Sequence, residues 1–188
     1  MASRHSPCAL AAQLHLRPMA LYYYVPTKTA LLALVLGEVI NRIGWTSYSG
    51  PPRDRILAQS LDLHRSLAAI EWIPDLLHYG TTVAVPPLAP AENVLSACHD
   101  LGLDDAEAFG LWRTIWSIIA SELEWNASAR LRRGQEIPDV AFSTSDVADY
   151  PHATRVFGRW GEWSSGYDIK PYLAALVDGV VDKRRRKR

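Results

Sequence analysis

Residues 16–32 read LRPMALYYYVPTKTALL, and three consecutive phenols, Tyr22, Tyr23 and Tyr24, stand there between Arg17 and Lys28. A buried tyrosine needs a hydrogen-bond partner for its hydroxyl, so a core would have to satisfy three adjacent phenols on one helical turn. On a surface the same groups can serve a duplex. Their hydroxyls can donate to phosphate oxygens while the rings cover sugars and thymine methyls. Arg17 and Lys28 can neutralise phosphates on either side. Taken alone, the run also fits an exposed aromatic patch on an ordinary helix.

Groups of this kind need short helices to aim them. Ser6 and Pro7 have the types of an N-cap and a first helical residue, and Leu10 and Leu14 then share a face, which predicts a helix over Pro7–Leu14. After a turn at His15-Leu16-Arg17, Pro18 opens a second helix to about Tyr24, with Leu21 and Val25 inward. That leaves Met19, Ala20, Tyr22, Tyr23 and Tyr24 outward or sideways. Pro26 ends it, and Thr27 caps a longer helix, with Leu31, Val35 and Val39 in register, to about Trp45. Two short helices around a tight turn, the second carrying bases and aromatics, have the outline of a helix-turn-helix DNA reader.

The stretch LAAQLHLRPMALYYYVPTKTALLALV resembles the signature of the TetR (tetracycline-repressor-like) family over Leu10 to about Val39. The resemblance implies an all-α chain, with an N-terminal helix-turn-helix followed by a helical ligand-binding and dimerisation domain. It implies DNA contacts at Arg17, Pro18, Met19, Ala20, Tyr22, Tyr23, Tyr24 and Lys28, and a pseudo-palindromic double-stranded operator read by a homodimer. The last two helices, expected over Asp149–Trp163 and Asp168–Lys183, resemble the family's homodimer interface. Two departures stand out. His15 occupies the turn where the family usually has glycine. Only MASRHS precedes Pro7, so the first helix of the family's DNA-binding unit is expected to be missing. Loss of that helix would uncover roughly 200 Å² of apolar surface on Leu10, Leu14, Leu21 and Val25, about 5 kcal/mol.

Beyond residue 45, TSYSGPP (Thr46–Pro52) is turn chemistry and marks the expected boundary between a DNA-binding part, 1–45, and a body, 46–188. Ile56, Leu57, Leu61, His64 and Ala68 predict one helix, and a short one follows over Pro74–Leu77. Ala91, Val94, Leu95, Cys98 and Leu101 predict another helix, ending at Gly102. Asp104 and Glu107 have capping-box spacing. The helix after them carries Phe109, Trp112, Trp116, Ile119 and Leu123 on one stripe and Ala108, Leu111, Ile115 and Ile118 on the next, which predicts a central helix. Residues 126–148 are polar and predict a long loop. The last helix shows Leu173, Leu176, Val177, Val180 and Val181, and Gly179 within it suggests close approach of another helix. The terminal KRRRKR is expected to be a solvated, disordered end, although it could touch phosphates.

The whole chain has 188 residues, is 48% hydrophobic and carries no net charge. The charge is unevenly placed: residues 1–45 hold four bases against Glu38, the last six residues are all basic, and the middle is acidic. No apolar run reaches the ~18 residues of a membrane span, and no secretory signal is apparent. Cys8 and Cys98 lack metal-ligand spacing and read as reduced thiols of a cytoplasmic protein. The chain has no G-x-S-x-G, H-E-x-x-H, P-loop or glycine-rich dinucleotide turn, and Cys98 and His99 project about 100° apart on a helix. Neither an enzyme nor a cofactor or metal is expected.

For the body, Trp72, Trp112, Trp116 and Trp125 each fit plain core packing, but as a group they suggest an aromatic-lined cavity for a small apolar or aromatic effector. His64 fits a satisfied core histidine as well as a ligand contact. The expected function is a ligand-responsive transcriptional regulator, most commonly in this family a repressor released from its operator, with activation also open. The alternative is a dimeric small-molecule-binding module that no longer binds DNA.

Overall fold

The computed structural model describes residues 27–70, 72–73, 88–131 and 149–186, and the regular structure among them is all helical. Seven helices are found among these residues: α1 (Lys28–Arg42), α2 (Pro52–Ala68), α3 (Leu88–Asp100), α4 (Asp105–Leu131), α5 (Pro151–Phe157), α6 (Trp160–Ser165) and α7 (Lys170–Arg186). The expected helices over Pro7–Leu14, Pro18–Tyr24 and Pro74–Leu77 lie outside the described residues.

Local chemistry sets several helix ends. The Thr27 hydroxyl accepts from the Ala30 amide at 3.0 Å and starts α1. This helix ends at Arg42 rather than near Trp45, because the Trp45 indole N–H donates to the Ile40 carbonyl at 3.1 Å, an acceptor a longer helix would have used. Val35 is exposed, and among the described side chains of α1 Ile40 is buried in the core. Pro52 stands at the first position of α2. Gly102, at φ +82°, ends α3: its amide donates to His99 O at 2.7 Å, and that of Leu103 to Cys98 O at 3.1 Å. Asp104 and Glu107 then form the expected reciprocal box. Asp104 Oδ1 accepts from the Glu107 amide at 2.8 Å, and Glu107 Oε2 from the Asp104 amide at 3.3 Å.

The core lies among α2, α3, α4 and α7. Ile56 and Leu63, Val94, Ile115 and Ile119, and Leu173 are fully buried. Each contributes roughly 1.5–3 kcal/mol relative to an exposed position. The sequence pattern misplaces the centre of this packing. It is α2 that packs against α3, α4 and α7. On α4, Phe109 is 58% exposed, and Arg113 and Ser117 share the outer side.

The buried face of α2 is also turned from the expected one. Ile56, Gln59, Ser60, Leu63 and Leu67 are buried, while Leu57, Leu61, His64 and Ala68 are partly buried. Two polar residues lie on this face with their side-chain oxygens engaged, while Gln59 Nε2 has no hydrogen-bond partner among the described residues. Ser60 Oγ donates to Ile56 O at 2.7 Å, and Gln59 Oε1 accepts from Asn93 Nδ2 at 3.0 Å.

The C-terminal third needs further corrections. Residues 126–131 continue α4, where Asn126 Nδ2 donates to Glu122 Oε1 at 2.8 Å. The single helix expected over Asp149–Trp163 is two, α5 and α6, broken at Gly158-Arg159; a Cβ at Gly158 would lie 3.0 Å from Thr154 O. Neither α5 nor α6 has a buried residue. In α7 the aliphatic face does pack inward, with Leu173 and Val177 buried, but a Cβ at Gly179 would meet nothing within 4 Å. The basic end is helical through Arg186, and Arg184 bonds the Gly102 carbonyl and pairs with Glu107 at 3.6 Å.

Candidate functional site

The expected DNA-contacting residues Arg17, Pro18, Met19, Ala20, Tyr22, Tyr23 and Tyr24 lie outside the described residues, and Lys28 is the first residue of α1. What is described is the helix that follows them and its attachment. Ile40 belongs to the body's core and Trp45 packs against it. A displacement of the core at this point therefore acts on the end of α1.

The five side chains expected to form an effector cavity separate into two groups. Trp112 is buried in the core, and its ring stacks with Trp116 at 6.4 Å between centroids; Trp72 and Trp116 pack on the same cluster. These three indoles act as core residues. His64 and Trp125 lie elsewhere.

His64 is partly buried on α2, and its Nε2 has no hydrogen-bond partner among the described residues. Burial lowers its pKa from the ordinary value, against the opposing charges of Glu122 and Asp168. Trp125, 45% exposed, meets Trp160 of α6 edge to face, with centroids 5.7 Å apart. Phe157 adds a third ring at 5.5 Å from Trp160.

Two cavities adjoin Trp125. One, of about 280 Å³, is lined by Glu122, Trp125, Val156, Trp160, Trp163 and Tyr167. The other, of about 520 Å³, is lined by Ala68, Leu123, Trp125, Asn126 and Arg130 together with Gly161 of α6. The sequence pattern does not single out Trp160, Trp163, Tyr167 or Glu122. Their signal is the i, i+3 spacing of Trp160 and Trp163 in an exposed segment, which a search for buried stripes passes over.

Among the described residues no group of three or more His, Cys, Asp or Glu could hold a metal ion. Burial pushes the Cys98 thiol up to about 11, which holds it protonated, and His99 Nδ1 lies 3.3 Å from Leu103 O. Among the described residues, no helix is long and apolar enough to cross a membrane.

No protein-family profile and no curated protein matches the sequence. Solved structures do match in shape. Mycobacterium smegmatis BioQ superposes with a TM-score of 0.62 at 18% identity, over 94% of this chain and 86% of that one. A Streptomyces coelicolor A3(2) protein assigned as a transcriptional regulator gives 0.61 at 20%, over 99% and 87%. The transcriptional regulator SCO7222, a TetR from Streptomyces coelicolor, gives 0.59 at 22%, over 95% and 86%. At these identities the likeness is one of fold, and this chain has a TetR-like fold.

Proposed function

We propose that this protein is a DNA-binding transcriptional regulator, a repressor released from its operator when a small apolar or aromatic molecule binds the helical body. The observation that carries the reading is the likeness of nearly the whole chain to solved regulators, one of them a TetR. The sequence adds the expected reader: Tyr22 and Tyr23, between Arg17 and Lys28, in the segment directly ahead of α1 for which the pattern predicts a short helix.

In this mechanism two copies pair through the last two helical stretches, α5–α6 and α7, and the Gly179 side of α7 is open. Their two readers meet half-sites of a pseudo-palindrome in the cytoplasm. An effector that prefers one arrangement of the body by ~1–3 kcal/mol changes the spacing of the readers through Ile40 and Trp45. No catalytic step belongs to this reading.

A mobility-shift titration across salt concentrations tests it, using the promoter region adjoining the protein's own gene. The expected result is a shifted complex that weakens steeply with salt, and at least about tenfold weaker binding when Tyr22 and Tyr23 are both replaced by alanine. If no duplex is bound even at low salt, the regulator reading fails and a ligand-binding module without DNA binding takes its place.

A further inference from the structure

The aromatic cleft between α4 and α6 is unusual in what it leaves open. Trp125, Trp160, Trp163 and Tyr167 all line it, and all are 43–47% exposed. Large rings normally contribute most when buried, and exposed apolar patches of this kind mark binding surfaces. The volume, about 280 Å³, suits a small flat molecule rather than a long chain.

The lining of the cleft carries a single charged side chain, a carboxylate. Glu122 is in the lining, and among the described residues its side chain is held by the Asn126 amide, with no lysine or arginine paired to it. Asp168 follows Tyr167 directly, and its carboxylate is held by the Lys170 amide at 2.9 Å. Burial raises the pKa of Tyr167 above its ordinary value, and the charges of Glu122, Tyr172 and Asp168 raise it further.

One cation already uses an indole here. The Arg159 guanidinium lies 5.0 Å from the Trp163 ring centre, and its charge is met by Glu162 at 2.6 and 2.9 Å. That pairing leaves Glu122 as the carboxylate in the cleft lining without a cation among the described residues. Arg130 lines the neighbouring cavity and not this one.

We propose that this cleft binds a flat organic cation, one or two aromatic rings bearing a positive nitrogen, with the rings against the Trp125, Trp160 and Trp163 indoles and the charge facing Glu122. The assignment rests on the effector-responsive reading in that it supplies the effector's chemical class. A neutral ring would find the same walls without attraction to the carboxylate, and an anion would be repelled by Glu122.

Tryptophan fluorescence and calorimetric titration of the full chain test this with three two-ring probes: N-methylquinolinium, neutral quinoline and anionic naphthoate. The cation is expected to bind most tightly and to quench the indoles. Glu122→Gln, which keeps the side-chain shape, is expected to weaken the cation about tenfold and leave quinoline unchanged. Trp160→Leu is expected to weaken binding and reduce the quench while circular dichroism shows an unchanged helix content. Naphthoate binding as tightly as the cation, or cation binding unmoved by Glu122→Gln, overturns the proposal. So does a wild-type dimer that Trp160→Leu makes monomeric without any cation binding, since the rings would then be an interface between copies. If the cation binds through Glu122 but leaves the DNA complex unchanged, the cleft stands and the effector reading falls. If DNA is bound and the cation is not, the cleft assignment falls alone.

Discussion

The body and the aromatic arm use similar residues for opposite purposes. In the bundle of α2, α3, α4 and α7, Ile56, Leu63, Ile115, Ile119 and Leu173 have no exposed surface, and Trp112 is all but enclosed. In the arm of α5 and α6, Phe157, Trp160 and Trp163 are each at least 43% exposed, and no residue is buried. Both regions are rich in apolar side chains, so composition does not distinguish them. The difference lies in what surrounds each ring. An indole enclosed on all sides contributes to folding, whereas one left half open keeps its free face for something else.

The sharpest way to break this contrast is to truncate one side chain from each region. Ile115→Ala removes a side chain with no exposed surface at the centre of α4, and is expected to cost roughly 2–5 kcal/mol in chemical denaturation, because the neighbours cannot collapse fully into the space. Trp160→Leu removes a far larger group, yet is expected to cost less than about 1 kcal/mol. Equal losses at the two sites would make the arm part of the folding unit.

The join between α3 and α4 comes next. Gly102 has φ +82°, where a Cβ crowds the backbone, so Gly102→Ala is expected to destabilise by about 1–2 kcal/mol. Asp104→Ala removes the acceptor of the Glu107 amide and is expected to cost about 1 kcal/mol. Thermal unfolding of both variants checks the order. Neither change should alter Trp160 fluorescence if the arm is independent of this corner.

This corner is also the most legible part of the sequence, for a physical reason. Gly102, the Asp104–Glu107 box, the Thr27 cap and Pro52 act through bonds spanning a few residues, so spacing alone reveals them. The face of α2 is not legible in this way. Gln59 is buried because Asn93, far along the chain, donates to it, and no helical period announces such a partner. Phe109 reads as core because it continues the Trp112–Trp116 stripe, but its ring stays open to solvent. Arg184 reads as part of a free tail, and its bonds to Gly102 and Glu107 depend on how α7 packs. For the candidate site, the DNA-reading residues are legible through resemblance. The arm reads as one interface helix because an isolated glycine such as Gly158 is a weak breaker signal until its neighbours are known.

His64 lies at the seam, on the body's α2 but within the field of Glu122 and Asp168 beside the arm. Burial lowers its folded pKa, so the unfolded chain binds the proton more readily. Stability from the neutral ring is therefore present above about 6.5 and is lost as pH falls toward the lower folded value. One proton sets a ceiling of ~1.4 kcal/mol per pH unit on this slope. His64→Gln is expected to flatten the change in denaturation midpoint between neutral and mildly acidic pH. A cation held at Glu122 offsets that acid's charge, so the cleft ligand is expected to lower the His64 pKa further. NMR titration of the ring with and without the ligand checks this, and an unmoved pKa would separate the seam from the arm.

The smallest effect is expected where α2 and α7 meet at the surface. Arg53 Nε and Nη2 donate to the two Asp178 oxygens at 2.7 and 2.9 Å, a two-pronged pair, and Arg53 Nη1 also reaches Asp54 at 3.0 Å. The guanidinium holds the Asp178 carboxyl below its ordinary pKa. Its contribution is therefore present above the ordinary carboxylate range and is lost as pH falls through the lower folded value, well below the range in which His64 acts. Both side chains are open enough to solvent for salt to screen them, so Asp178→Asn is expected to lower the melting temperature slightly at low salt and hardly at all at high salt. A large, salt-independent loss would mean that this pair, rather than the apolar residues Leu173 and Val177, fixes α7 on the body, and the division between a packed bundle and an open arm would then have to be redrawn around a charged hinge.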